Sequence, residues 1–317
     1  MKGELVTRFY QPGDETHIVR LFHESFGRSL PEERWRWRYQ QNPSGQAVIS
    51  LAWRGDVLVA HCAASRVPLF VGGRDFPGAL VGGAMAHPDH RQTGAFTAAA
   101  QAMQAHLAEQ GIAMVWGFPN SLSHRGFARD LQWVDMREVP TFRLPLSPRL
   151  KSPIAPGGVV EVPGFDPRFD TLWHAAMEEG RIVTRRDAAH LRWRYAENPI
   201  ESYRILGCSA GEGLTGYAVL KPYQDTMQVV DLLALDAEAG LRLIAAAIEV
   251  AREATVSTLS LWWNVADPLH HALEKLGFVN AEPVTYWSGR VLSRGLQPHK
   301  VYDHRRWHLT MGDSDVY

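Results

Sequence analysis

Cysteine is scarce in this sequence, where only Cys62 and Cys208 occur among 317 residues. Two cysteines this far apart form neither a zinc-type cluster nor the disulfide framework of a small secreted domain. Long apolar runs are also missing, since no window approaches the roughly 18 apolar residues of a membrane span. The N-terminal stretch MKGELVTRFYQPGDE lacks the apolar core of a signal peptide. We therefore expect a protein of the reducing cytoplasm, with no disulfide, metal site or membrane anchor.

A surplus of charge of either sign is missing as well. The 33 Lys and Arg residues against 34 Asp and Glu residues leave a formal net charge of −1. Proteins that bind nucleic acid broadly, or an anionic membrane surface, usually carry a basic surplus. The sequence therefore predicts neither nucleic acid nor membrane as a partner, and a substrate would have to be selected by a local site.

The chain contains an internal repeat. Residues 36–43 read RWRYQQNP and residues 192–199 read RWRYAENP, an offset of 192 − 36 = 156. In each half there follow an apolar strand, an amphipathic helix, a second apolar strand that ends in Asn, and another helix. The corresponding asparagines are Asn120 and Asn264. The sequence thus predicts two α+β domains, 1–150 and 151–317, joined by a Pro- and Gly-rich linker over 146–168.

Apolar spacing carries the helix predictions. One face of a helix over 94–110 is predicted to hold Phe96, Ala99, Met103 and Leu107, and one face of a helix over 239–253 to hold Leu241, Ile244, Ile248 and Ala251. In the repeated block, Trp35 and Tyr39 lie four residues apart on one helical face, and the following Asn-Pro stops the helix. Because this block occurs in both halves, we interpret it as structural.

The segment HPDHRQTGAF, residues 87–96, joins an apolar strand to the first long helix. Gly94 stands at the turn, where backbone can approach a ligand closely. The first amides of a helix have no partners within it and lie at the positive end of its dipole. Such a turn suits a pyrophosphate, and Arg91 would add charge. An ordinary strand–turn–helix connection has the same pattern, so the residues alone leave both interpretations open.

These residues resemble the coenzyme A loop of the GNAT superfamily of N-acetyltransferases, which reads Gln/Arg-x-x-Gly-x-Gly/Ala. Arg91 and Gly94 match the first and fourth positions, whereas Phe96 occupies the sixth. The run LEKLGF, residues 273–278, is similar to the terminal helix-to-strand signature of the family. The resemblance covers nearly the whole chain as two tandem copies. It implies an α+β fold in each half, with a mixed, mostly antiparallel central sheet flanked by helices.

The resemblance also implies acetyl-CoA or another acyl-CoA as cosubstrate, bound by the first half without a metal. The strand before the loop would contact the pantetheine arm, the loop amides would hold the pyrophosphate, and Asn120 would orient donor or acceptor unless it caps the next helix. The implied contacts are Met85, Ala86, His87, Arg91, Gln92, Thr93, Gly94, Ala95, Phe96, Thr97 and Asn120. At the corresponding place in the second half, Asp236 and Glu238 would repel a pyrophosphate. We expect that half to be degenerate for CoA binding.

In the chemistry that the resemblance implies, an amine attacks the thioester directly within a ternary complex, a base accepts its proton and a backbone amide stabilises the oxyanion. Many GNAT enzymes protonate the departing thiolate with a Tyr, but Ala128 and Leu273 stand at that place in the two halves. The candidate catalytic residues are His124 on the last helix of the first half, Glu24 on its first helix, and Asp313 in the tail.

Three further histidines and the tail need an interpretation. His61 is another candidate base, whereas His87 and His90 flank the loop, which favours a donor-side or structural role. The alternation of Trp307, Leu309 and Met311 predicts a strand with one buried face. The acids that follow it would either hold an amine acceptor or lie in a solvated turn.

Three hypotheses about function stay open. The first is an enzyme that acylates a primary amine on a small molecule, such as an amino sugar or an amine metabolite. The second is a Fem-like or acyl-carrier-protein-dependent N-acyltransferase, although the near-neutral charge argues mildly against a tRNA-bound donor. The third is a non-catalytic CoA-binding or sensing protein. The sequence leaves the acceptor, the acyl chain and the choice between monomer and homodimer undetermined.

Overall fold

The structure is a computed structural model that describes residues 3–121, 123–147, 149–150, 154–177, 180–315 and 317. Its helices are α1 (Glu15–Phe26), α2 (Glu32–Tyr39), α3 (Ala95–Glu109), α4 (His124–Leu131), α5 (Pro167–Ala175), α6 (Ala188–Leu191), α7 (Ala237–Glu253), α8 (Pro268–Leu276) and α9 (Pro298–Val301). Its strands are β1 (Leu5–Phe9), β2 (Val48–Arg54), β3 (Val57–Arg66), β4 (Leu69–Val71), β5 (Arg74–Phe76), β6 (Gly78–Ala86), β7 (Met114–Gly117), β8 (Val134–Pro145), β9 (Val159–Glu161), β10 (Ile182–Thr184), β11 (Arg204–Ala210), β12 (Gly213–Tyr223), β13 (Thr226–Ala234), β14 (Thr258–Leu261), β15 (Val279–Val291) and β16 (Trp307–His308).

The chain forms two compact units, and neither is continuous in sequence. Unit 1 comprises Met1–Leu69, Phe76–Arg137 and Tyr286–Tyr302; unit 2 comprises Phe70–Asp75, Glu138–Thr285 and Asp303–Tyr317. The sequence-based division at residue 150 differs from these bounds because each unit takes in segments from the other half of the chain. Strand pairing between residues distant in sequence produces this exchange.

Unit 1 has a six-stranded sheet in the order β1, β2, β3, β6, β7 and the end of β15. Its pairs are antiparallel except β6 with β7, and Ser288–Val291 of β15 supplies the last strand. α1 and α2 pack on one face through a core that includes Trp35 and Tyr39. α3 and α4 pack on the other face, where Ala99, Met103 and Leu107 are buried as their spacing predicted.

Unit 2 repeats this arrangement. Its strands run in the order β9, β11, β12, β13, β14 and the end of β8, again antiparallel except for β13 with β14. α7 buries Ile244 and Ile248 against this sheet. Both units therefore have the mixed, mostly antiparallel sheet flanked by helices that the resemblance implies, and that prediction is confirmed.

The predictions for the linker and for the tail need correction. The predicted linker over 146–168 contains β9, which pairs with β11, so it is partly a strand. Pro148 and residues 151–153 of that linker lie outside the described residues. In the tail, β16 is only two residues long, and His308 and Thr310 are buried together with their apolar neighbours. Trp307, Leu309 and Met311 are buried as predicted, but the strand covers only two residues and the residues between them are buried as well.

No helix among the described residues combines the length and the apolar character needed to cross a bilayer.

Candidate active site

A slot opens in unit 1 where β6 and β7 separate. β6 pairs with β7 only from Gly78 to Val81, whereas its opposite edge pairs with β3 as far as Ala86. Residues 82–86 of β6 and residues 118–120 after β7 thus face a gap in the sheet, which we call the slot. Along this edge β6 is not paired with β7, although the carbonyl oxygens of Gly83 and Ala86 accept from His61 Nδ1 and the Ser25 hydroxyl. The described part of β6 therefore offers main-chain groups to an extended ligand.

A bulge in β6 shapes this edge. The register between β3 and β6 shifts between His61 and Ala63. Opposite the shift, Gly83 has φ +62°, and a Cβ added there would lie 2.3 Å from the Tyr39 hydroxyl oxygen. Only glycine combines that conformation with so close an approach. The bulge therefore depends on Gly83 in β6 and on Tyr39 from the repeated block.

His61 supports the bulge from beneath. Its ring is fully buried, and Nδ1 lies 2.7 Å from the Gly83 carbonyl oxygen. A carbonyl only accepts, so Nδ1 carries the proton and donates. Burial lowers the pKa of His61 from 6.5 to about 4. At neutral pH the ring is uncharged, and it holds the strand instead of reaching the slot as a free base.

This histidine makes unit 1 sensitive to acid. Since its pKa is lowered on folding, the unfolded chain binds the proton first, and stability is lost as pH falls from 6.5 towards 4. We expect His61 alone to remove about 2 kcal/mol between pH 7 and pH 5. Urea unfolding of wild type and His61→Gln at both pH values measures this, because the variant should lose less stability. The exposed His23→Gln serves as control, and equal losses in wild type and His61→Gln would contradict the assignment.

The loop before α3 presents bare backbone amides. Gln92 has φ +63° and Gly94 φ +79°, and the first bond within the helix runs from the Ala98 amide to the Gly94 carbonyl oxygen. The amides of residues 95–97 thus precede the first hydrogen-bonded turn. The side chains of Arg91, Gln92 and Thr93 are exposed. This is the geometry of an anion site at a helix N-terminus.

Phe96 does not disturb this loop. Its ring lies 5.6 Å from the ring of Phe127 on α4, centroid to centroid, and it packs on the core between α3 and α4. Phe96, at the sixth position of the motif, thus packs between the two helices. Phe127 itself is buried in this core.

Two of the predicted site residues meet at the end of β6. Glu24 on α1 lies 3.5 Å from His87, measured from Oε2 to Nε2, and it also pairs with Arg20 at 2.9 Å. Next to Glu24, the Ser25 hydroxyl donates to the Ala86 carbonyl oxygen at 3.3 Å. α1 is thereby anchored to the strand end that leads into the loop, and the Glu24 carboxylate stands beside the slot-forming strand.

His124 begins α4 on the other side of the slot. Its Nε2 lies 2.8 Å from an Asp135 carboxylate oxygen, and its ring stacks on Tyr286 with centroids 4.1 Å apart and planes 12° apart. Sequence reasoning missed Asp135 and Tyr286 because they come from β8 and β15, where no local motif marks them. Asn120, in the turn before α4, accepts from the Ser123 amide at 3.0 Å. That bond closes the turn before the helix, whereas the N-cap residue of α4 is Ser123, so Asn120 is not the cap of α4.

The corresponding place in unit 2 holds a cavity of about 380 Å³, lined by the end of β13, the starts of α7 and α8, and part of the tail. β13 pairs with β14 only from Thr226 to Gln228, and beyond that point the tail lies beside β13. The Asn264 amide donates to the carbonyl oxygens of His304 and Trp307 at 2.7 and 2.8 Å. At the start of α7, the Asp236 carboxylate accepts from the Ala239 amide at 2.8 Å. Asp236 thus brings a carboxylate to the helix start, whereas Arg181, Arg305 and Arg306 also line the cavity.

Asp313 is buried within that tail, which corrects its expected catalytic role. It is 5% exposed and its carboxylate accepts from Arg186 at 2.8 Å and from the Thr310 amide at 2.7 Å. No acceptor amine can reach a carboxylate enclosed in this way. The sequence placed Asp313 in a polar tail, and only the folded tail buries it.

A metal-based site has no support in the residues that the structure describes, where no three His, Cys, Asp or Glu side chains group closely enough to hold an ion.

Comparison with known proteins identifies the fold. Residues 7–134 match the family model of the acetyltransferase (GNAT) domain. A conserved Enterococcus faecalis V583 protein, described as a probable N-acyltransferase, superposes with a TM-score of 0.72 at 15% identity over 91% of this chain and 73% of that one. A GCN5-related N-acetyltransferase from Anabaena variabilis superposes with a TM-score of 0.71 at 15% identity, over 92% of this chain and 73% of that one. Saccharomyces cerevisiae N-myristoyltransferase with bound myristoyl-CoA superposes with a TM-score of 0.61 at 10% identity, over 91% of this chain and 79% of that one. No curated protein sequence matches this chain significantly.

Proposed function

We propose, from the premise that residues 7–134 form a GNAT acetyltransferase domain, that this protein transfers an acetyl or other acyl group from acyl-CoA to a primary amine of a small molecule. One observation carries the proposal: the amides that precede the first hydrogen-bonded turn of α3 adjoin a slot along which β6 is not paired with β7. The amides suit the pyrophosphate of coenzyme A, and residues 82–86 suit its pantetheine arm. Unit 1 is then the donor-binding unit.

The chemistry requires few groups from the protein. The amine nitrogen attacks the thioester carbonyl carbon, the C–N bond forms, and the C–S bond breaks with its electron pair on sulfur. A side chain accepts the proton of the amine, and backbone amides beside the slot stabilise the oxyanion. His124 and Glu24 are the proposed proton acceptors, since they flank the slot from α4 and α1. A small amine agrees with the near-neutral charge of the chain.

Donor binding is tested by a pair of matched glycine variants. Gly94 and Gly111 lie at opposite ends of α3, have φ of +79° and +78°, and both face open space. Gly94→Trp and Gly111→Trp should therefore cost similar stability, but only the first obstructs the loop. We expect acetyl-CoA to raise the Tm of wild type and of Gly111→Trp, and not that of Gly94→Trp. At 100 times Kd the stabilisation is about 2.7 kcal/mol.

Other outcomes of this thermal titration are informative. Free coenzyme A and longer acyl-CoAs, run in parallel, report which acyl chain is preferred. Stabilisation by acyl-CoA without thiol release for any amine tested would favour a non-catalytic sensing protein. No stabilisation by any thioester would overturn the proposal and favour a carrier-protein or aminoacyl-tRNA donor.

A further inference from the structure

The start of α4 carries a histidine held in one orientation by two partners from other strands. Nε2 of His124 lies 2.8 Å from Asp135 Oδ1, and the His124 ring lies flat on Tyr286. The His124 side chain is 21% exposed, whereas Asp135 is 53% exposed. A carboxylate accepts only, so Nε2 carries a proton, and in the neutral ring Nδ1 is then the nitrogen with the lone pair. The ring is thus fixed in both tautomer and plane.

This histidine lies where the slot opens. Its amide donates to the Asn120 carbonyl oxygen at 2.9 Å, in the turn that leaves β7. Tyr286 precedes Ser288 by two residues, and Ser288 pairs with Gly117, the last residue of β7. Both the helix that carries His124 and the strand that carries Tyr286 therefore converge on the end of β7, the point at which β6 and β7 part.

We propose that Asp135 and Tyr286 are positioning residues that hold His124 as the proton acceptor for the attacking amine. The proposal rests on the proposed acyl transfer. As the C–N bond forms, the amine proton passes to Nδ1 of His124 and the thiolate leaves with the C–S electron pair. The resulting imidazolium donates through Nε2 to Asp135 and returns its proton to the thiolate or to water. The missing Tyr of α4 is then not required, because one histidine both accepts and returns the proton.

The first test needs no substrate. Nitrogen-15 NMR of histidine-labelled protein should show His124 as the Nε2–H tautomer in wild type. Asp135→Asn should populate both tautomers, since an amide can accept or donate, whereas Asp135→Glu should restore the Nε2–H form. Asp130→Asn, on α4 and paired with Arg129 at the surface, is the matched control and should leave the spectrum unchanged. An unchanged tautomer in Asp135→Asn would overturn the positioning role.

The second test uses acetyl-CoA and glucosamine, or the primary amine that gives the fastest thiol release in a screen. Asp135→Asn should lower kcat about 10- to 100-fold with KM for acetyl-CoA unchanged. Asp135→Glu should recover part of this loss. Tyr286→Leu should lower kcat, because it removes the ring that stacks on His124, and Tyr286→Phe, which keeps the ring, should lower kcat less. The kcat of His124→Gln should be at least as low as that of Asp135→Asn.

The outcomes separate this inference from the function on which it rests. Wild-type turnover with full kcat in Asp135→Asn would overturn the positioning role and leave acyl transfer intact. Acyl-CoA stabilisation without turnover in wild type would overturn the catalytic role, and NMR would still decide whether Asp135 fixes the ring. Loss of Tm stabilisation by acetyl-CoA in Asp135→Asn would also contradict the inference, because a positioning residue acts on kcat and not on donor binding.

Discussion

Replacing Arg186 with leucine is expected to destabilise unit 2 by about 3–5 kcal/mol, the usual effect of removing one partner from a buried ion pair. Arg186 is 2% exposed and its guanidinium lies 3.1 Å from Asp231 and 2.8 Å from Asp313. Burial opposes its charge, but the two carboxylates outweigh burial and raise its pKa well above the ordinary value. Leucine would leave both carboxylates enclosed without a counter-charge.

The network around Arg186 extends the effect beyond one pair. Its Nη1 also donates to the Thr184 carbonyl oxygen at 3.0 Å, and the hydroxyls of Tyr195 and Tyr217 each donate to Asp231 at 3.0 Å. Thr184 belongs to β10, and Asp231 to β13. One substitution therefore disturbs the contacts that join these strands to the tail.

The neighbouring residue provides the control. Arg185 pairs with Asp75 at 3.3 Å and with Asp187 at 3.7 Å, and its side chain is 34% exposed. Arg185→Leu should cost at most about 1 kcal/mol, as partly exposed pairs do. Urea unfolding of the two variants, followed by fluorescence and circular dichroism, measures the difference. Equal midpoints for Arg185→Leu and Arg186→Leu would show that the buried network contributes no special stability.

Replacing Gly83 with alanine is expected to destabilise unit 1 by about 2–6 kcal/mol, since left-handed backbone and overpacking each cost about 1–3 kcal/mol. The new Cβ would overlap the Tyr39 hydroxyl oxygen, 2.3 Å away, and stand 3.4 Å from the His61 ring. The bulge beside the slot must then shift. We expect acetyl-CoA to stabilise this variant less than wild type, because residues 82–86 form the slot edge.

Gly55→Ala separates strain from overlap. Gly55 has φ +59°, close to the +62° of Gly83, but nothing lies within 4 Å of an added Cβ. Gly55→Ala should therefore lose only about 1–2 kcal/mol of stability, the cost of the left-handed backbone conformation. The double variant Gly83→Ala with Tyr39→Phe should recover part of the loss, because the hydroxyl is the group overlapped. Identical midpoints for Gly55→Ala and Gly83→Ala would exclude steric overlap as the cause.

The repeated helices and the turn before α3 could be predicted from local sequence patterns. Apolar residues at helical spacing predicted α3 and α7 to within a few residues, and Trp35 and Tyr39 proved to be buried on one side of α2. The glycine turn before α3 was visible as a motif, and the structure places Gly94 in the left-handed region there. Local features of this kind follow from periodicity and from the conformational limits of single residues.

Tertiary structure alone decided which strand completes each sheet and which polar groups meet. Unit 1 takes Ser288–Val291 from the far end of the chain, and unit 2 takes Phe142–Pro145 from the middle. These strands pair with segments that are too distant in sequence to appear together in one short window. The same holds for side chains. In the sequence Asp313 is a polar residue of the tail, but in the fold it is buried with Arg186. Asp135 is an ordinary strand residue in the sequence, but in the fold it contacts His124. Burial and long-range contact are properties of the fold, and they change the chemistry of a carboxylate without changing its sequence context.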